Sequence, residues 1–463
     1  MSGLLALLQQ SATSLQAQTA ASSTASHNLS NANTVGYSRQ RAELAAAAPA
    51  ERIGNSYLGR GAVLQAVSQA RDRFLEAQMP GAIAKEMASG TEAETLKSIT
   101  AVDVDTGLNP ALSNFYSSLR ALAQNPGSQN YRVAAVSAAS QLAFTFNQTA
   151  SAIDGARTAI DTKLDGRLSE VSDLAAQVAQ LNAAIKSARA SGGEPNDLLD
   201  ARLHLGDQLA EKIGAIPVAD KDGNLNLTLP DGTSVVNATF AAKFSAKPDP
   251  TNGGHSAIWI QKPDGSPAQQ LARPPGGEIG GLLSARDGAL KKAATDVDQL
   301  AFEFASNVNT ASRAGFALDG STGRDLFGGV GAATNAARTI AIDPAIGGDP
   351  NLFPGGNTPA AGDGSAVQAI VATESMTLTS GTTVTGTLSK ITSDFGASAS
   401  RIASIHEADQ AMLGHLDSMR QSASGVSIDE ELINMQKAQR GYEAVTRVIK
   451  TADDMLETLM SLK

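Results

Sequence analysis

The sequence predicts a mainly α-helical chain with a β insert. Its parts are a discontinuous coiled coil made from the two chain ends, a rod of long helices, and a small inserted β domain. Three observations predict this. Apolar residues recur with alternating four–three spacing at both extremes of the chain. A longer, cleaner stripe of the same kind lies in the interior. Between the interior stripes the period switches from helical to two.

The first stripe runs Leu4, Leu8, Ser11, Leu15, Gln18, Ser22, Ala25 and Leu29. This is coiled-coil spacing, but Ser11, Gln18 and Ser22 weaken it. Alone in water such a helix is marginal, because nucleation is costly and few apolar contacts offset it. It should order only against a partner. The last stripe starts at Ile428 and continues through Leu432, Met435, Gln439, Tyr442, Val445, Ile449, Ala452, Leu456 and Leu459. Ser427 is placed to cap it, and Asp429, Glu430 and Glu431 lie in the first turn, where the helix dipole favours acids. Residues 1–38 and 427–463 therefore predict one paired terminal domain, with the intervening chain looped out.

The interior predicts a helical rod over 39–215 and 276–426. Arg71 to Glu86 reads as a helix interrupted at Pro80. Leu112, Phe115, Leu119 and Leu122 mark another, ended by Asn125–Pro126–Gly127. Leu164, Leu168, Val171, Leu174, Val178, Leu181, Ile185 and Ala188 form the cleanest stripe, stopped by the breaker "SGGEPND" from Ser191. Further helices are predicted from Ile279 to about Ala311 and from Ile391 to Met419, the latter broken by "SASG" at Ser422. In "NLNLTL", Leu225, Leu227 and Leu229 alternate between two Asp-Gly hairpin signals. With "AIWI" at Ala257 this predicts an inserted β domain over 216–275. The Gly/Pro/Asn-rich residues 328–364 predict an irregular surface loop, with "TIAI" at Thr339 a short strand within it.

Composition excludes several functions. The net charge of −10 without a basic block argues against nucleic acid and anionic membrane surfaces. The chain has no cysteine, so disulfides, thiol catalysis and cysteine–metal sites are absent. No run of about 18 apolar residues predicts a membrane-spanning helix. "LLALL" at Leu4 is too short, and lacks preceding positive charges, for a signal-peptide core. No catalytic residue, metal or cofactor is predicted. His27, His204, His255, His406 and His415 form no ligand or catalytic pattern, with His406 and His415 reading as solvent-exposed positions on a heptad helix. "DKDGNLN" at Asp220 lacks the Gly and Glu of a calcium loop and reads as a hairpin turn.

One stretch stands apart. "NLSNANTVGYSRQ" begins at Asn28, and no Lys, Arg, Asp or Glu precedes Arg39. Asn28, Asn31, Asn33 and Thr34 can hydrogen-bond backbone where a helix ends, and Gly36 can adopt a conformation closed to other residues. Tyr37 would be an apolar anchor and Arg39 the first charge. Composition alone also fits an ordinary polar loop.

These ends resemble the flagellar axial proteins, the family of rod, hook and hook-associated proteins. "NLSNANTVGYSRQR" is similar to their N-terminal signature and "GVSIDEELINMQKAQRGYEAVTRVIKTADDMLETLMSLK" to their C-terminal one. Interior blocks such as "EPNDLLDARLHLGDQLAEKIG" and "SNVNTASRAGFALDGSTGRDLF" resemble the hook-associated members. The likeness lapses over roughly 328–397, where many members carry a further outer domain.

The resemblance implies a structural, extracellular role at the hook–filament junction of the bacterial flagellum. It implies export by the flagellar type III apparatus without a cleaved signal, and an export chaperone on the C-terminal region. It implies self-assembly into a ring or tube, with hook protein on one side and the second junction protein, hook-associated protein 3, on the other. Leu4, Leu8, Leu15, Leu29, Leu432, Met435, Tyr442, Val445, Ile449, Leu456 and Leu459 would form the assembly interface. Asn28 to Arg39 would be a shaped joint between coiled coil and rod. An uncharged first helix suits enclosure among like neighbours, where charges would repel or be desolvated. Two alternatives stay open: another axial protein (hook, rod or second junction protein), or a soluble extracellular enzyme or binding module with its site between rod and β insert.

Overall fold

The computed structural model describes residues 2–48, 51–53, 56–58, 60–99, 104–218 and 220–461. The first helix, α1 (Ser2–Ser30), carries no Lys, Arg, Asp or Glu. It is followed by strands β1 (Gln40–Ala46), β2 (Glu51–Ile53), β3 (Ser56–Leu58) and β4 (Ala62–Gln69). β1 pairs antiparallel with β4, and β2 with β3, as a hairpin arm. The sequence reading placed no strands here. "RAELAAA" has little of the β-branched or aromatic content that marks strands. The arm instead lies against α1, where the Ala62 N–H donates to Ser14 Oγ at 3.3 Å.

The rod follows as α2 (Arg73–Ser98), α3 (Val104–Gln124), α4 (Gln129–Ala190) and α5 (Asn196–Ile213). Asp72 caps α2 by accepting from the Phe74 and Leu75 N–H groups at 2.8 and 3.3 Å. The expected interruption at Pro80 does not occur. Pro80 removes one intrahelical hydrogen bond, but Leu75 and Met79 are buried against a later helix, and the helix continues through it. α4 has 62 residues and so spans about 90 Å at 1.5 Å per residue. The stripe from Leu164 to Ile185 is only its second half. Its first half buries small residues such as Ala135, Ala139 and Ala143 among Leu142 and Phe146, and smallness hid the periodicity.

The β insert leaves and rejoins the rod at one point. α5 ends on Gly214 in the left-handed conformation, φ +70°. A Cβ there would lie 2.7 Å from the Gly276 Cα. Only glycine allows the two backbones to touch while reversing direction. Between them lie two small antiparallel sheets. β5 (Ile216–Val218), β6 (Asn226–Thr228), β7 (Ser234–Asn237) and β8 (Phe240–Ala241) form the first in sequence order. β9 (Lys243–Pro248), β10 (Ser256–Gln261) and β11 (Gln269–Gln270) form the second, with β10 central. Leu227, Leu229, Val235, Val236 and Ile260 are buried against α4. Buried Asn182 of α4 fixes the docking by donating to the Leu225 and Ala238 carbonyls at 3.1 and 2.7 Å.

The chain returns through α6 (Gly277–Ser284), one wide π turn (285–290) and α7 (Lys291–Arg313), which form one continuous helix. Residues 328–364 correct the expectation of a surface loop. β12 (Phe327–Gly328), α8 (Ala336–Thr339), β13 (Ala341–Ile342) and α9 (Pro344–Gly348) are short, but Ala336, Ile340, Ile346 and Phe353 are fully buried. Buried Arg132 clamps the stretch to the α3–α4 turn, donating to the Pro126 and Phe353 carbonyls at 2.8 and 2.5 Å. Then come α10 (Ser365–Ala372), α11 (Val384–Ser424) and α12 (Ile428–Ser461). His406 of α11 is half-buried rather than exposed, because α11 packs closely on α2 at Gly90, where a Cβ would meet the imidazole at 2.8 Å. The aromatics gather where α3, α4 and α7 meet: Phe115, Tyr116, Phe146, Phe304 and Phe327 pack with centroids 5.2 to 6.0 Å apart.

Candidate assembly interface

α1 and α12 lie antiparallel. Asn28 meets Glu431 near one end of the pair, and Gln18 meets Gly441 farther along it. Their meeting point with the rod is a closed polar network. Asn28 is 1 % exposed, and all its hydrogen-bonding capacity is used. Its Nδ2 donates to the Gln40 carbonyl at 2.8 Å and to Glu431 Oε2 at 3.0 Å. Its Oδ1 accepts from Tyr37 Oη at 2.7 Å and from the Gln40 N–H at 2.9 Å. The other oxygen of buried Glu431 accepts from Arg39 Nε at 2.7 Å, while Arg39 Nη1 reaches exposed Glu430, also at 2.7 Å. A neutral amide and a paired charge thus satisfy one another where an unpaired charge would be costly.

The turn after α1 is built for this. Thr34 Oγ1 donates to Asn31 Oδ1, and Asn31 Nδ2 to the His27 carbonyl. Gly36 takes φ +81° with its α-carbon against His204 of α5, where a Cβ would sit 3.1 Å from the histidine Cβ. Burial, then the negative charges of Asp197, Asp200 and Glu431, hold the Tyr37 hydroxyl far above its usual range, so it remains a donor. Rod contacts complete the joint. Ser38 N–H donates to Asp200 Oδ2 at 3.1 Å, and Arg39 N–H to the Ser424 carbonyl at 2.9 Å. Asn33 and Thr34 are exposed.

Below the turn lies a cavity of about 710 Å³ lined by Tyr37, Glu76, His204, Asp207, Arg420 and Glu430, among others. Burial raises the Asp207 carboxyl to about 6, although Arg420 Nη1 lies 3.4 Å away and opposes the rise.

Residues 93–327 match the model of the flagellar hook-associated protein FlgK helical domain, about half of the chain. The chain belongs to the FlgK family of flagellar hook-associated proteins. Its members are structural components of the bacterial flagellum at the hook–filament junction, and this chain is one of them. Residues 417–462 match the model of the flagellar basal body rod FlgEFG protein C-terminal region. Flagellar hook-associated protein 1 of Bacillus subtilis is 26 % identical over 98 % of this chain and 97 % of its own length. That of Salmonella typhimurium is 28 % identical over 69 % of this chain and 59 % of its own length. In fold, the chain resembles the flagellar hook junction protein FlgK from Burkholderia pseudomallei, with a TM-score of 0.67 and 17 % identity over 75 % of this chain and all of that one. The mainly α architecture with a small β insert is that of the family.

In this FlgK-family chain, the α12 face toward α1 differs from the stripe read in the sequence. Glu431, Ala438 and Ala452 are buried, with Met435, Val445, Ile449 and Leu456 half-buried between them. Leu432 and Tyr442 are 38 % and 44 % exposed. Leu432 points about a quarter-turn off this seam, at 100° per residue. Tyr442 borders a groove floored by Gln18 and Ser22 of α1, which are too short to cover it. On α1, Leu4, Leu8, Leu15 and Leu29 are half-buried, whereas the smaller Ser11, Ala17 and Ala25 are buried. The Leu459 side chain lies outside the described residues. Glu431 went unread as a joint residue, because an acid in a first helical turn already has a sufficient reason to be there.

The boundary between rod and insert holds the cluster nearest to a catalytic constellation. His255 is 5 % exposed, with Nδ1 at 2.7 Å from Asp161 and Nε2 at 3.3 Å from Asp154. Both carboxylates are already engaged, Asp161 by buried Arg286 and Asp154 by Arg338. Arg286 also donates to the Ser256 carbonyl. These groups bolt α4, the β9–β10 turn and the π turn together. Among the described residues no group of three or more His, Asp or Glu is placed to hold a metal ion. Asp220 makes the expected hairpin turn, accepting from the Asp222 N–H at 2.9 Å and from Asn224 Nδ2 at 2.6 Å.

Proposed function

We propose that the paired terminal helices are the assembly element, and that the chain performs no catalysis. One observation carries this reading. Asn28 and Glu431, 403 residues apart, close a buried network at the base of a helix pair whose outer faces meet no partner among the described residues. The α1–α12 seam itself buries mostly Ala, Ser and half-covered leucines. At about 25 cal/mol per Å² such contacts contribute little, so the pair gains most of its stability from neighbours. On assembly into a ring or tube, Leu4, Leu8, Leu15, Leu432, Met435, Tyr442 and Leu456 become enclosed. Asn28 to Arg39, with Glu431, sets how the pair meets the rod.

In this reading hook protein lies on one side and the second junction protein, hook-associated protein 3, on the other. An export chaperone holds the C-terminal region before assembly. The chain travels unfolded through the flagellar export channel without a cleaved signal, and the lack of cysteine suits that passage. The test is capture of the purified chain by isolated hooks, with and without residues 2–30. Capture of the full chain and loss of capture on truncation support the reading. Equal capture of both sinks it.

A further inference from the structure

The turn between β9 and β10 presents Asn252 to the rod. It is a single short turn, Pro250–Asn252, in which Asp249 accepts from the Thr251 N–H at 2.9 Å and Gly253 reverses the chain at φ +67°. From the rod, two residues four apart on one helical stretch reach the same side chain. Lys291 Nζ, at the start of α7, donates to Asn252 Oδ1 at 2.9 Å. Asn252 Nδ2 donates to Oδ1 of Asp287, in the π turn, at 2.8 Å. Buried Arg157 of α4 adds a second cation on Asn252 Oδ1, with Nη2 at 3.3 Å. Two cations on one side and a carboxylate on the other fix which atom of the amide is oxygen. Among the described residues, no other lysine ammonium hydrogen-bonds a side-chain amide, since Lys212, Lys292 and Lys390 meet carboxylates.

Folding thus assembles an amine, an amide carbon, a cation on the carbonyl oxygen and a carboxylate on the leaving nitrogen. With a C=O bond of about 1.23 Å, Lys291 Nζ can lie no farther than about 4.1 Å from Asn252 Cγ. We propose that Lys291 and Asn252 join in an intramolecular isopeptide bond. Exposed Lys291 first releases a proton to solvent. Its Nζ adds to Cγ, and Arg157 holds the negative charge that develops on Oδ1. The added nitrogen gives a second proton to solvent, and Asp287 passes one from solvent to Nδ2. The Cγ–Nδ2 bond breaks and ammonia leaves. A lysine ammonium and an amide thus become a secondary amide and an ammonium ion, with no oxidant and no further reactant. The event happens once per chain, so the chain changes itself and turns over no substrate. The bond ties the β insert to the rod and closes the chain between residues 252 and 291. It constrains the unfolded chain as a disulfide would, in a chain that has no cysteine.

A competing reaction sits beside this one. Asn252 is the one asparagine in the chain followed by glycine, and attack by the Gly253 nitrogen also expels ammonia. The test separates the two. The purified folded chain and the same chain in urea are held at pH 9, to favour the free amine. Samples are digested and their peptides weighed until half of the unfolded chain has lost the Asn252 amide. By then the folded chain should contain a branched peptide that joins the segments around Asn252 and Lys291 and is lighter than their sum by one ammonia. The unfolded chain should contain none. Lys291→Arg keeps the cation but cannot react, and should give no branched peptide. Asp287→Asn should form it at least tenfold more slowly. Absence of the branched peptide from the folded chain at that time overturns the proposal. So does loss of ammonia at Asn252 that persists equally in Lys291→Arg, which is ring closure on Gly253. Equal rates with and without Asp287→Asn overturn the part given to the carboxylate.

Discussion

At the scale of single residues, the joint depends on matching every buried polar atom. Asn28 is the centre of this, with four hydrogen bonds to Gln40, Tyr37 and Glu431. Asn28→Ala removes all four and leaves the Glu431 carboxylate with Arg39 alone. The expected cost is about 2–4 kcal/mol, read as a lower urea midpoint of whichever transition reports the terminal pair. The two acids beside Arg39 give a sharper comparison, because their distances are equal and their burial is not. Glu431→Ala removes a buried carboxylate, leaving Arg39 with exposed Glu430 alone and one buried Asn28 N–H without its acceptor, and should cost about 2–3 kcal/mol. Glu430→Ala removes a solvent-exposed pair and should cost at most about 1 kcal/mol. Equal effects in denaturant melts would mean that burial does not govern this site. The sequence announced Asn28, Tyr37 and Arg39 through their unusual neighbourhood. It could not announce Glu431, since nothing local distinguishes it from Asp429 and Glu430.

At the scale of elements, the helices were legible where apolar residues are large and illegible where they are small. The second half of α4 and α11 from Ile391 to Met419 follow from the spacing of large apolar residues, whereas the first turns of α11 do not. The first half of α4 rests on Ala135, Ala139 and Ala143, which carry little hydrophobic contrast. The hairpin arm was missed for the same reason, and residues 328–364 were misjudged because proline- and glycine-rich turns conceal the buried Ile340 and Phe353. The turn at Gly36 was legible and makes a prediction. Gly36→Ala forces a Cβ toward His204 in a left-handed backbone, and should cost about 1–2 kcal/mol in the same melts.

Asp207 under that turn predicts a pH dependence. Burial raises its carboxyl to about 6 from an ordinary 3.8. The folded chain therefore holds this proton more tightly than the unfolded chain does. The group's contribution to stability is full below about pH 4 and is lost as the pH rises through 6. Asp207→Asn should then stabilise the protein by about 1–3 kcal/mol at pH 7 and by little at pH 4, measured by urea unfolding at the two values. A gain that is the same at both pH values would show that ionisation is not its source.

At the scale of the whole molecule, the chain is a middle with a large core and a helix pair made from its two ends. The rod and insert share one continuous core from Leu96 to Ile391, with aromatics at its centre. The terminal pair has a thin seam, exposed Leu5, Ile433, Val448 and Met455, and outer faces that nothing among the described residues covers. Both properties were foreshadowed by weak heptads at the two extremes of the sequence. What periodicity could not supply was which face of each helix turns inward, since that depends on where α1, α12 and the hairpin press together.

The measurement that bears most directly on this account is limited proteolysis of the dilute monomer beside the same chain in isolated flagella, with fragments weighed by mass spectrometry. The account predicts rapid loss of roughly residues 1–35 and 428–463 from the monomer, around a resistant middle, and protection of both ends in the flagellum. Ends that resist cutting in the monomer as firmly as the middle would contradict it, because the helix pair would then be stable without neighbours.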